Sequence, residues 1–123
     1  MADELGRLRE RNARTLSRRV ATGDDLTVTR VVDHELVFPR KKDATAAAPL
    51  LEAEGFDVVR VGRHWSDPFR CVVELTATHA LTEDALDATV VRMLRIAAPL
   101  SGVYDGFNAK VVRATPPPPS STP

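Results

Sequence analysis

At 123 residues, 43% of them hydrophobic, the chain holds enough apolar material for one packed domain. Its 17 basic and 17 acidic residues cancel, so net charge gives no support to a nucleic-acid or membrane-surface binder. A single cysteine, Cys71, excludes an intramolecular disulfide and a thiolate metal cluster, and no apolar run approaches the roughly 18 residues of a spanning helix.

The N-terminal stretch MADELGRLRERNARTLSRRV lacks the uninterrupted apolar core of a signal peptide, so a cytoplasmic location is expected. It has helical periodicity instead. At about 100° per residue, Leu5, Leu8, Ala13, Leu16 and Val20 share one face. Arg7, Arg11, Arg14 and Arg18 fall within an arc of about 60° opposite them. This helix is expected to occupy residues 1–23 as a separate leading element, ended by Gly23 and Asp24-Asp25. The folded domain is expected over residues 27–114, and the tail 115–123, TPPPPSSTP, is too polar and proline-rich to pack.

Residues 27–38 are rich in β-branched side chains, stop at Pro39, and read as the first strand. Asp43 is the expected N-cap of a helix that Pro49 should kink or delay, with Gly55 in its left-handed C-terminal position. Strands are expected at 56–62 and 69–78, separated by the loop RHWSDP. Thr82 caps a last helix with an apolar stripe of Leu86, Val90, Met93 and Leu94, which should pack on Phe56, Cys71, Val73 and Phe107. Gly102 should stop that helix, and residues 103–113 form the final strand. In strict alternation Tyr104 and Gly106 share one face of this strand and Asp105 and Phe107 the other, while a glycine inside a strand often marks a bulge. After the leading helix the order is β-α-β-β-α-β, which is the α+β, ferredoxin-like arrangement with two helices on one face of a four-stranded antiparallel sheet. The other sheet face is left to the leading helix, a partner or solvent.

The helix LTEDALDATVVRMLRIAAPLSG running into VYDGFNAKVV, led by VDHELVFP and LLEAEGFDVVRVG, resembles the RraB family, the regulators of ribonuclease activity B. The resemblance spans residues 31–112, and its most recognisable element is Tyr104-Asp105-Gly106-Phe107. Asp33-His34 matches an acidic-His pair in the family's first strand. The resemblance implies a ferredoxin-like fold and a protein partner, an E-type endoribonuclease that the best-known member binds and inhibits. The chain departs from that member in being neutral rather than acidic, and it has phenylalanine at position 107 where the family often has tryptophan.

His34, His64 and His79 are far apart in sequence, and no histidine pair lies at i, i+4 spacing, so no metal and no cofactor are expected. Asp33 and His34 cannot form a dyad, because adjacent strand residues point to opposite faces. Glu83, Asp84 and Asp87 sit in the first turns of a helix, where the dipole accounts for them. There is no phosphate-cradling glycine loop and no nucleophile elbow, and the strands lack base-stacking aromatics. The expectation is a non-enzymatic regulator acting by protein–protein contact, with His34, Trp65, Tyr104 and Asp105 as its contact candidates. The alternatives are a weak nucleic-acid binder using the stripe Arg7, Arg11, Arg14 and Arg18 on phosphates, or a ferredoxin-like module for a small ligand or another partner.

Overall fold

The sheet is built outward from the β-branched run that follows Asp24-Asp25. In a computed structural model, which describes residues 2–113 and the side chains of residues 4–113, the elements are α1 (Ala2–Ala21), β1 (Arg30–Phe38), α2 (Lys41–Ala53), β2 (Asp57–Arg63), β3 (Cys71–His79), α3 (Glu83–Ala97) and β4 (Val103–Asn108). The strands lie in the order β2-β3-β1-β4 and every pairing is antiparallel. The element order is that of a ferredoxin-like α+β fold preceded by one extra helix. The tail expected at 115–123 lies outside the described residues.

Alternation along β1 buries Val32, His34, Leu36 and Phe38 on the helical side. Val32, Leu36 and Phe38 pack with Leu51 of α2, Val73 and Leu75 of β3, and Leu86, Val90 and Met93 of α3. The expected stripe is therefore core at Leu86, Val90 and Met93, whereas Leu94, Cys71 and Phe107 are only partly buried at its margin. α1 does not cover the opposite sheet face. It packs against α3, sends Leu16 into the common core, and joins Arg9 to Asp87 of α3 by two bonds of 2.7 and 3.1 Å. The leading helix is thus part of the helical layer rather than an appendage. Its inward face runs through Leu5, Leu8, Asn12 and Leu16, and Val20 is 55% exposed.

Several boundaries differ from the sequence reading for local reasons. The first strand starts at Arg30, because the Asp25 carboxylate accepts from the Thr27 amide (3.1 Å) and hydroxyl (2.7 Å) and turns the chain there. Asp43 does not cap α2. The helix begins at Lys41 behind Arg40, and Asp43 in its first turn accepts from Arg40 Nε at 2.8 Å. The helix continues through Pro49 to Ala53. Gly55, at φ +98°, closes it as expected: the Phe56 amide bonds Leu51 C=O and the Gly55 amide bonds Glu52 C=O.

At the end of α3, Thr82 caps as expected, accepting from the Ala85 amide at 3.3 Å. A 3₁₀ turn over Ala98–Leu100 follows, and Ser101, not Gly102, takes the left-handed conformation at φ 62°. Gly102 has a different task. A Cβ there would lie 2.5 Å from Phe38 Cε2 and 2.9 Å from Ala97 Cβ, so its bare backbone lets the chain pass over the core ring.

β4 carries the bulge that glycine signalled. Glu35 pairs with Gly106 and Leu36 with Tyr104, leaving Asp105 as the extra residue, with Gly106 at φ +152°. The extra residue resets the alternation. Tyr104 and Phe107, expected on opposite faces, both oppose helical-side residues of β1, Leu36 and His34. Beyond Asn108 the chain leaves the sheet, because Arg19 takes the carbonyl of Ala109 (2.7 Å) and Arg30 that of Lys110 (3.0 Å).

Candidate functional site

Bulging β4 brings two groups of polar side chains together, one inside the sheet and one on its open face. Inside, His34 of β1 is 2% exposed and Tyr104 of β4 is 5% exposed. His34 Nδ1 lies 2.7 Å from the Tyr104 hydroxyl, and His34 Nε2 lies 2.9 Å from His79 Nε2, on the last residue of β3. His79 Nδ1 is 2.6 Å from Ala80 C=O, which can only accept. That fixes every proton in the neutral network. His79 donates through Nδ1, His34 donates through Nε2 to the His79 lone pair, and the Tyr104 hydroxyl donates to His34 Nδ1. Burial, reinforced by the nearby His79, pushes the His34 imidazole down to about 3. Burial also holds the Tyr104 phenol above its usual range. With its free nitrogen engaged and its protonation suppressed, His34 is a poor general base. The network ties β1, β3 and β4 together.

On the open face, Glu35 stands opposite Glu74 of β3 and beside the bulged Asp105. A hydrogen bond to Asp105, then burial, then the charges of Asp105 and Glu74 push the Glu35 carboxyl up to about 7, although Arg60 opposes them. Arg60 donates through Nε to Glu74. Together with Asp33 and Val59, these acids line a concavity of about 490 Å³. The upward shift of the Glu35 carboxyl yields a direct test. Carboxyl-carbon NMR should show a group titrating near 7, and Asp105→Ala should return it toward its ordinary value of 4.5. A wild-type Glu35 that titrates below 5 would mean the two carboxyls do not share a proton.

Glu35, His64 and Asp105 also offer one ligand-type atom each within 4.8 Å of one another. The tautomer argues against a metal there. His64 Nδ1 accepts from the backbone amides of Ser66 and Asp67, both at 3.2 Å, so its proton sits on Nε2. That Nε2 faces Asp105 Oδ2 at 3.9 Å as a donor and has no lone pair to offer. What the arrangement does is draw the β2–β3 loop across the sheet toward β4.

The same loop carries the most exposed large hydrophobic side chains of the described chain, Trp65 at 86% and Phe69 at 88%. They are presented on an ordered turn. His64 stacks beside Trp65 with ring centroids 5.9 Å apart, and Asp67 accepts from the Phe69 amide at 3.0 Å.

Of the four contact candidates, Trp65 and Asp105 lie at the surface, whereas His34 and Tyr104 are core residues bonded to each other and cannot reach a partner from the folded state. Strand alternation alone could have flagged His34, since Val32, His34 and Leu36 share a parity. The stripe residues Arg7, Arg11, Arg14 and Arg18 are all exposed, but Arg11 donates to Tyr104 C=O at 3.2 Å and Arg18 to the Thr15 hydroxyl at 3.3 Å. Sequence reasoning passed over Glu35, Glu74, His79 and Phe69. Only strand register brings the first three to their partners. Phe69, expected within the third strand, in fact precedes it.

Residues 9–109 match the sequence profile of a family described as regulator of ribonuclease activity B, RraB. Comparison with curated proteins finds no match.

Proposed function

The chain belongs to the RraB family of regulators of ribonuclease activity, and on that premise we propose that it binds an E-type endoribonuclease by direct protein contact and lowers its rate of RNA cleavage. The observation that carries this reading is the pair Trp65 and Phe69. Large aromatics left 86% and 88% exposed on a turn already held by hydrogen bonds form a pre-organised anchor. Around them the open sheet face adds the exposed Val59 and, across the sheet, Val31. No helix among the described residues is long and apolar enough to cross a membrane. The nucleic-acid alternative draws less support, because Arg11 and Arg18 already bond within the chain.

The test is cleavage of a defined RNA by the cognate E-type ribonuclease of the same cell, titrated with this protein. Trp65→Ala is expected to weaken association by more than about 1 kcal/mol, roughly fivefold, while leaving the unfolding midpoint unchanged. Cleavage that stays constant at large molar excess of the wild type, with no complex formed, would remove the ribonuclease inhibition and leave a family member with another target.

A further inference from the structure

A second surface lies on the helical side, where α1, α3 and the start of β4 diverge around a groove of about 810 Å³. Its floor is aliphatic. Leu5 and Leu8 come from α1, Val91 and Leu94 from α3, and Val103 from β4. These side chains are not finished core: Val103 is 49% exposed, and the other four are half-buried. Such a run of half-covered aliphatic side chains retains apolar area that a partner would remove from water.

The rim is cationic. Four arginines border the groove against two acids, Glu4 and Glu10. On α1 the cations recur at one-turn spacing, with Arg11 and Arg14 succeeding Arg7. Arg95 stands on the α3 side. Arg14 and Arg95 have no hydrogen-bond or ion-pair partner among the described residues. The floor has no converging polar groups of the kind that orient a small molecule. Its polar elements are instead spread along a helix axis, a pattern that suits a linear partner.

We propose that this groove docks an amphipathic helix of a protein partner, one whose apolar stripe fills the floor and whose flanking Asp and Glu side chains meet Arg14 and Arg95. This is helix-in-groove recognition with charges setting orientation and selectivity. It does not rest on the ribonuclease reading. The groove and the Trp65 loop lie on different elements, so each surface is removed by its own substitutions.

The test uses the full chain with labelled Leu and Val methyls. It is titrated with two synthetic four-turn peptides of identical leucine spacing, one flanked by glutamates and the other by lysines. The glutamate peptide is expected to shift the methyls of Leu5, Leu8, Val91, Leu94 and Val103 while leaving Val31 and Val59 unmoved. The lysine peptide should bind at least about tenfold more weakly, and Arg14→Glu with Arg95→Glu should reverse that preference. Both arginines are exposed, so the double variant is expected to fold, which its unperturbed Val32 and Val73 methyls would verify. Equal affinity for the two peptides, or no groove shifts at millimolar peptide, overturns the proposal. Groove methyls that move when residues 114–123 are deleted would show the chain's own tail as occupant. A single-stranded RNA that shifts the same methyls more tightly than the glutamate peptide would make the rim a phosphate site. Either result also overturns it.

Discussion

Replacing Asp24 with asparagine is expected to lower the stability of this protein by about 3–5 kcal/mol. The Asp24 side chain is 0% exposed and accepts from Arg30 Nη1 at 2.6 Å, Arg19 Nε at 2.8 Å and the Val112 amide at 3.2 Å. Arg30, whose side chain is 6% exposed, also donates to the carbonyls of Val28, Asp25 and Lys110. One carboxylate therefore fastens the end of α1, the start of β1 and the segment after β4. Burial alone would raise the Asp24 carboxyl. The bonds from Arg30, Val112 and Arg19 outweigh it and hold the group below its usual range. Asparagine keeps the shape but turns an amide NH₂ toward a guanidinium and leaves two cations in a dry site without their counter-ion. Urea denaturation at neutral pH measures the loss, and cleavage by trypsin after Lys110 should appear as the last segment is released. A cost below about 1 kcal/mol would place Asp24 among ordinary surface ion pairs.

Stability is also expected to fall steeply with acid, with His34 as the main source. In the unfolded chain its imidazole titrates at the ordinary 6.5, whereas in the folded protein burial and His79 hold it to about 3. Below 6.5 the unfolded chain therefore binds a proton that the native state refuses. The contribution is whole above 6.5 and is lost at up to about 1.4 kcal/mol per pH unit until the folded value is reached, several kcal/mol in total. Glu35 acts in the opposite sense. Its folded value lies above its unfolded one, so its contribution is present below 4.5 and lost as pH rises through about 7. The two are separated by comparing stability–pH curves of the wild type and His34→Gln. The variant should lose the slope between 6.5 and 3. A His34 ring that titrates near 6.5 in the folded protein would refute the assignment.

Sequence alone carried the order of the elements. Period-2 alternation in β1 and the 3.6-residue stripe of α3 are written in the identity of successive side chains, so Val32, Leu36, Leu86, Val90 and Met93 could be placed in the core by counting. Gly55 and Thr82 could be read as helix ends because a left-handed turn and an N-cap each demand particular residue types. The family resemblance was legible for the same reason, being carried by consecutive residues of one helix and one strand.

What the sequence could not place were the groups whose partners arrive from far along the chain. Tyr104 and His34 are both polar enough to read as surface contacts. Only the pairing of β4 beside β1 shows that each satisfies the other, which removes the need for solvent. The bulge at Asp105 moved Phe107 to the other face, because one inserted residue reverses a period of two. Asp43 had the right chemistry for a cap, but the bend after Pro39 started the helix three residues earlier. Whether α1 covers the open sheet face or lies beside α3 was likewise undetermined, since its apolar stripe fits either surface. The choice follows from Arg19 reaching Asp24 and Arg9 reaching Asp87, contacts across 5 and 78 residues that appear only when the chain is folded. Local pattern sets which face of an element is apolar, and tertiary contact decides what that face meets.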